Sequence, residues 1–348
     1  MVTNISVCIP AYNRAAVLPE LLDSILSQSF DDYEIVICED NSPERNKICA
    51  VVERYAKAHP GRIRYFENAK NLGYDGNLRN LIVKAQGEYC LFMGNDDLMC
   101  ADTLKLVANA LHRHPNIGVV LRSYASFDDR PDNINQVFRY FPDERFFPAG
   151  AGTIATVFRR SVVISGMVVH RAGAVRFSTD RFDGSLLYQL YLVANLLVEM
   201  NAVYLPQVLT LYRNGGVPDF GNSEAEKGKF VPREHTPVSS LHFMREMLVI
   251  AEYVEKTRGV EIYRRILNDI GNYSYPVLAI QADKPARVLV AYWWGLARMG
   301  LWRNALFHLS FLGLLILGPR RIDGLIRKIK RKLGYTPTLG GIFRGRPR

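Results

Sequence analysis

Three short apolar runs, at residues 5–9, 34–38 and 89–93, constrain this chain more than any other feature. Each is nearly continuous rather than alternating, which is how a strand reads when both faces of a parallel sheet are covered. A weaker run, 63–66, lies between the second and third. Segments with helical spacing separate them: Leu18, Leu21–Leu22 and Ile25; then Ile48, Val51–Val52 and Tyr55; then Leu78, Leu81–Ile82 and Ala85. A further helix is expected over 101–112, then a strand over 117–121. The alternation predicts a doubly wound, mainly parallel α/β sheet with right-handed crossovers. Ligands of such sheets bind beyond the carboxyl ends of the strands, so the loops there come first.

Further along, residues 128–152 read as an irregular excursion, 164–169 as a strand, 184–199 as a helix and 202–212 as an extended segment. Residues 214–237 hold Gly, Pro and charges without periodicity, the mark of a lid or binding loop. From residue 238 onward the pattern is helical. The 348 residues therefore divide into an expected catalytic α/β domain, 1–237, and a helical region, 238–348.

The formal charge of +10 is not spread over the chain. Residues 319–348 hold ten Lys or Arg and one Asp, net +9, which leaves about +1 for the other 318 residues. A global basic field would suggest nucleic acid, which is not expected here. A basic tail behind an apolar stretch suggests an anionic membrane surface. Residues 286–318 are strongly apolar, with Trp293, Trp294 and Trp302, but Arg298 and Arg303 interrupt them. The longest uncharged run, 304–318, has 15 residues, against about 20 for a span. The expectation is interfacial helices lying in the membrane plane. A packed helical subdomain or a homo-oligomer interface is the competing reading. The five cysteines, all within the first 100 residues, show no metal or disulfide spacing. With no leader pattern at the start, a reduced cytosolic compartment is expected.

The selected loops carry chemistry. The first strand runs into Pro10, Ala11, Tyr12 and Asn13, an aromatic that can stack on a base beside an amide. The second ends in Glu39 and Asp40, whose carboxylates can accept from a base or a ribose hydroxyl, or cap the next helix. A glycine-bearing segment, 71–77, ends in Asn77 and allows close backbone approach. The fourth strand ends in Asn95, Asp96 and Asp97. Adjacent carboxylates raise each other's pKa unless a cation compensates, and Mg²⁺ or Mn²⁺ commonly takes one or two carboxylates plus substrate phosphates. Asp102 is better placed to cap the following helix, which frees Asp96 and Asp97.

Together, Ser6-Val-Cys-Ile-Pro-Ala-Tyr-Asn13, Leu26-Ser-Gln-Ser-Phe30, Glu39-Asp-Asn-Ser42, Asn71-Leu-Gly73, Gly87-Glu-Tyr89 and Asn95-Asp-Asp97 resemble the family 2 glycosyltransferases of the GT-A fold, tightly over residues 3–125 and loosely to 212. The resemblance implies an inverting enzyme with a nucleotide-sugar donor. Pro10 and Tyr12 would line the nucleoside pocket, helped by Ala11, Asn13, Asn77 and Asn95. Asp40 would contact the base, Asp96 the ribose or diphosphate, and Asp97 the metal, Mn²⁺ or Mg²⁺. An acceptor-side base is expected near a later helix start: Asp183 fits, with Asp180 next. Asn95 stands where relatives carry Asp, and Glu39 where many carry Asp. The Gln-x-x-Arg-Trp signature of processive synthases is absent, which favours transfer of one sugar. The acceptor expected from such relatives is a polyprenyl-diphosphate-linked saccharide of a surface polysaccharide, met at the cytoplasmic face of the bacterial inner membrane.

Two other readings compete. A nucleotidyltransferase would carry a Gly-rich basic phosphate loop after the first strand, which Pro10-Ala-Tyr-Asn-Arg-Ala does not resemble. A non-catalytic scaffold would not need Asp97 and Asp183.

Overall fold

The computed structural model describes residues 4–214 and 219–336. One sheet organises it. Strands β1 (Ile5–Ala11), β2 (Tyr33–Glu39), β3 (Ile63–Glu67) and β4 (Tyr89–Phe92) are parallel, in the order β3-β2-β1-β4. The sheet continues through β9 (Val168–His170), β6 (Ile117–Phe127), β10 (Asn201–Arg213) and β5 (Leu98–Met99). Here β6 and β10 are parallel, whereas β9 runs antiparallel between β4 and β6. Short strands β7 (Ile134–Phe138) and β8 (Arg145–Phe147) pair antiparallel with β6 and β10. The fold is thus mixed α/β with a mainly parallel central sheet.

The period of two along β1 sends its side chains to opposite faces. Ile5, Val7 and Ile9 join one buried cluster with Leu18, Leu21 and Ile25 of α1 (Leu18–Leu26), and with α2 (Arg45–Ala58) and α4 (Thr103–Arg113). Cys8, Val36 and Cys38 point the other way. They meet Leu78 and Leu81 of α3 (Gly73–Lys84) and the buried face of α7 (Tyr188–Glu199). Full burial of one such Leu or Ile contributes about 1.5–3 kcal/mol, which fixes the strand register. The second cluster continues through α5 (Ala151–Val157), α6 (Arg171–Arg176), α8 (Pro237–Arg258), α9 (Tyr263–Asn272), α10 (Ser274–Ala279), α11 (Ala286–Arg298) and α12 (Ala305–Leu317) as one core. Among the described residues, α13 (Pro319–Leu333) is the one α-helix that buries no residue fully. No helix among the described residues is long and apolar enough to cross a membrane.

Several local expectations shift. Helix α3 begins at Gly73, so Asp75, Gly76 and Asn77 lie in its first turn rather than before it. Helix α4 begins at Thr103, but Asp102 does not cap it: its backbone is left-handed (φ 57°) and its carboxylate accepts from Ser29 Oγ at 2.5 Å. The strand expected over 164–169 shrinks to β9, because Arg122 binds the carbonyls of Val163 and Ser165 and holds them off the ladder. The helix expected from residue 184 starts at Tyr188. Gly184 (φ 82°) and Leu186 (φ 63°) are left-handed, and their amides go to the Asp75 carboxylate instead of to helical carbonyls.

Candidate active site

The loops after β1, β2 and β4 meet in a cleft of about 350 Å³. Pro10, Tyr12, Asp40, Asn77, Asn95, Asp96 and Asp97 all line it. Ala11 lies behind, buried in β1 opposite Glu39. Asn13 also lies behind, donating to Asp219 at 3.2 Å.

The turn after β1 is strained. Asn13 and Arg14 both adopt left-handed backbone (φ 55° and 65°), a region where non-Gly residues are uncommon. Asn95 braces it: its amide donates to the carbonyls of Asn13 (3.0 Å) and Tyr12 (3.4 Å). The strained turn delivers the Arg14 guanidinium to the Asp96 carboxylate as an ion pair. Burial raises the Asp96 pKa, and Arg14 pulls it back.

Asp97 is buried deeper. Ser165 Oγ and the Arg213 backbone N–H (3.0 Å) donate to it. Burial, and then the neighbouring Asp96, push its pKa up to about 7. A carboxylate that costly to ionise is what a cation would stabilise. Among the described residues no group of three or more His, Cys, Asp or Glu is gathered to hold a metal. Two carboxylates and a hydroxyl suit a hard ion that completes its shell with substrate phosphates, so the donor set fits Mn²⁺ or Mg²⁺. Arg14 and Arg213, whose Nε donates to the Asp96 carbonyl at 3.0 Å, add positive charge where a diphosphate would lie.

At the other end of the cleft, Asn68 Nδ2 (2.7 Å) and the Leu72 N–H (2.8 Å) fix Asp40 Oδ1. Burial lifts the Asp40 pKa to about 6. Asn77 donates to the Cys38 carbonyl (3.0 Å) and accepts from Asn68 (3.0 Å), which ties α3 to the end of β2. Glu39, fully buried, has another job: it accepts from the amides of Asn41 and Ser42 and from Arg45 Nε.

Asp183 does not line the cleft. Arg79 grips it with two hydrogen bonds of 2.6 and 2.8 Å. It sits near the cleft rim, because Gly73 and Asn77 line the cleft while Gly76, on the same helix, lies next to Asp183: a Cβ there would be 3.9 Å from Asp183 Oδ2. Asp180, the other acid considered, exchanges no side-chain hydrogen bond with any described residue; its carbonyl receives the Asp183 amide at 3.0 Å.

Sequence reading missed Arg14, Ser165, Arg213, Asp219 and Glu226. Segment 219–236 folds over the cleft, so that Asp219, Phe220 and Glu226 join its wall. Glu226 accepts from Tyr74 N–H (2.8 Å) and Gly221 N–H (2.9 Å). Glycine permits that approach: a Cβ on Gly73 would overlap Ser223 and Glu226, and one on Gly184 would overlap the Ala225 carbonyl. Arg14, directly after the Pro10–Asn13 loop, was the one legible signal for a phosphate-facing cation.

Comparison with known proteins agrees with this geometry. Residues 6–163 match the family model "Glycosyl transferase family 2". Abequosyltransferase RfbV of Salmonella typhimurium is 33% identical over 219 residues, 60% of this chain and 63% of that protein. The GalNAc(5)-diNAcBac-PP-undecaprenol beta-1,3-glucosyltransferase of Campylobacter jejuni is 35% identical over 114 residues, 32% of this chain and 36% of that one. The chain thus spans less than two thirds of these relatives' own lengths. The mannosyltransferase PcManGT of Pyrobaculum calidifontis, solved with GDP-Man and Mn²⁺, shares the fold: TM-score 0.52, 18% identity, 92% of this chain and 89% of that one. The segment matched to glycosyl transferase family 2, Ser6 to Val163, is the one that carries the cleft's Pro10, Tyr12, Asp40 and Asn95–Asp97 residues.

Proposed function

We propose that this protein is a non-processive, inverting glycosyltransferase. It moves one sugar from a nucleotide-diphosphate sugar to a hydroxyl of a lipid-linked saccharide during bacterial surface-polysaccharide synthesis. The observation that carries this reading is the cleft itself. Asp40 at one end suits a base or ribose, and Asp96, Asp97, Arg14 and Arg213 at the other suit a diphosphate. The name of one relative, a glucosyltransferase of a PP-undecaprenol saccharide, supports the acceptor class.

In this mechanism Pro10 and Tyr12 hold the nucleoside, and Asp40 accepts a hydrogen bond from it. Asp96 and Asp97 would hold the divalent ion, which when bound neutralises the departing diphosphate. Arg14 and Arg213 offer further positive charge at the same phosphates. The acceptor hydroxyl attacks the anomeric carbon from the face opposite the phosphate. A C–O bond forms, the anomeric C–O(phosphate) bond breaks, and Asp183 takes the hydroxyl proton. Arg79 orients Asp183 for that task and stabilises its charge while the site is empty. The 219–236 segment, tied down by Glu226, excludes water from the cleft.

The outer faces of α11–α13 support a peripheral place at the cytoplasmic surface of the inner membrane. Trp294 and Trp302 (each 57% exposed), Leu312 and Ile316 (74%) lie bare beside the basic α13.

The test is release of free nucleoside diphosphate from a panel of nucleotide sugars, with and without a lipid-linked acceptor. Acceptor-dependent release coupled to one added sugar supports the reading. Release of inorganic pyrophosphate from a sugar phosphate and a nucleoside triphosphate would replace it with a nucleotidyltransferase.

A further inference from the structure

A second cavity, of about 1010 Å³, lies between the sheet and the C-terminal helices. Its size sits at the top of the usual range for ligand pockets. It shares Val162, Val163, Leu186, Phe220 and Phe243 with the donor cleft, so the two spaces adjoin along a common wall. Beyond that wall its lining is mostly apolar: Phe138, Phe230, Met247, Val277, Ile280 and Ile326. A sugar ring alone would leave the apolar part of such a surface uncovered.

The α13 side of the cavity carries two cations and one acid. Arg327 and Lys330 of α13 line it, and neither forms an ion pair with any acid among the described residues. Arg159, also in the lining, is already held by Asp269 at 2.6 Å. Two acids also line it: Asp323 of α13, which accepts from the Tyr275 hydroxyl at 2.6 Å, and Glu234 of the 219–236 segment. Burial drives the Lys330 pKa down. A bound anion would reverse that.

We propose that this cavity is the acceptor site, and that its occupant is an isoprenoid diphosphate: the chain lies against the apolar wall, and the diphosphate meets Arg327 and Lys330. This rests on the glycosyltransferase reading above and deepens it. The shared wall then presents the attached saccharide to the donor cleft beside Leu186, three residues from Asp183. The site draws on the chain's C-terminal third, since residues 239–336 build more than half of it.

Farnesyl diphosphate, farnesol and inorganic pyrophosphate serve as probes, titrated into the full-length protein by calorimetry. Farnesyl diphosphate should bind at least tenfold tighter than either fragment. Replacing both cations (Arg327→Gln with Lys330→Gln) should weaken farnesyl diphosphate by about tenfold or more, the scale of lost hydrogen bonds to charge, and leave farnesol unchanged. Filling the cavity with Ala279→Trp should remove both. UDP, GDP, CDP and dTDP titrations with Mn²⁺ report whether each variant keeps its donor cleft. Farnesyl diphosphate binding no tighter than pyrophosphate, or unaffected by Ala279→Trp in a protein that still binds nucleotide, overturns the proposal. So does full competition by phosphatidylglycerol vesicles, which would assign the cavity to bulk lipid. Farnesyl diphosphate binding without any nucleotide binding would sink the donor reading, and with it the acceptor role, while leaving an isoprenoid-diphosphate site in the cavity.

Discussion

Arg79 and Asp183 are locked together by two hydrogen bonds, from Nη1 to Oδ1 at 2.6 Å and from Nη2 to Oδ2 at 2.8 Å, across 104 residues of sequence. Both carboxylate oxygens are therefore occupied before any acceptor arrives. An acceptor hydroxyl must share one of them, and the guanidinium keeps the remaining charge in place.

This relationship separates two variants. Asp183→Ala should lower kcat by about 10²–10⁴, the usual contribution of a general base, with the nucleotide Kd unchanged. Arg79→Lys keeps the charge but loses the fork, so it should cost less in kcat than Asp183→Ala, with the nucleotide Kd again unchanged. Steady-state kinetics and nucleotide titrations of both variants would decide. An Asp183→Ala enzyme with near wild-type turnover removes it from the chemistry.

Asp97 should report the cation. Asp97→Ala deletes a buried carboxylate of the cleft, whose pKa burial and Asp96 lift to about 7. Nucleoside diphosphate affinity in the wild type is expected to rise on adding Mn²⁺, and that gain should vanish in Asp97→Ala. Calorimetric titration with and without the ion reads this directly. Equal Mn²⁺ gains in both proteins would place the ion elsewhere.

Asp75 gives a pH signature. It is fully buried and accepts from the amides of Gly184, Leu186 and Tyr188, each at 2.9 Å. Burial pushes its pKa up to about 7, above the unfolded carboxylate. The folded state therefore holds this proton over a window where the unfolded chain has lost it. Stability from that group is complete below about pH 4 and is lost as pH rises toward 7. At about 1.4 kcal/mol per pKa unit, the stability difference between wild type and Asp75→Asn should fall by a few kcal/mol from pH 4 to 8. Denaturant titrations at those limits measure it. A flat difference would mean that the three amides hold the carboxylate ionised throughout.

What was legible in the chain follows from range. Tyr12, Asp40, Asp96 and Asp97 could be placed because each stands within a few residues of a strand end, and the topology rule does the rest. Arg213, Ser165 and Glu226 could not, because their partners lie 116, 68 and 152 residues away. Asp75 reads locally as one more polar residue near a glycine turn. Its three amides belong to a segment that itself read as helix until Asp75 drew them off. The antiparallel β9 was overread for the same reason: the apolar run was real, but Arg122 took its first carbonyls.

The outer face of the C-terminal helices gives the last prediction. Tyr292, Phe307 and Phe311 turn inward and pack the core, so removing α11–α13 would expose it. Point variants are cleaner. Trp294 and Ile316 stand bare on the outer face, and Lys328, Arg331 and Lys332 follow on exposed positions of α13. Each cation near an anionic surface contributes about 1 kcal/mol, so converting these three to Gln should weaken binding to phosphatidylglycerol vesicles by about two orders of magnitude. Trp294→Glu with Ile316→Glu should abolish what remains, while nucleotide affinity stays constant. Vesicle co-sedimentation measures both, with phosphatidylcholine vesicles as the neutral control. A protein that ignores both vesicle types but elutes as a dimer, and turns monomeric in the Trp294→Glu, Ile316→Glu variant, would instead give this face to a second copy of the chain.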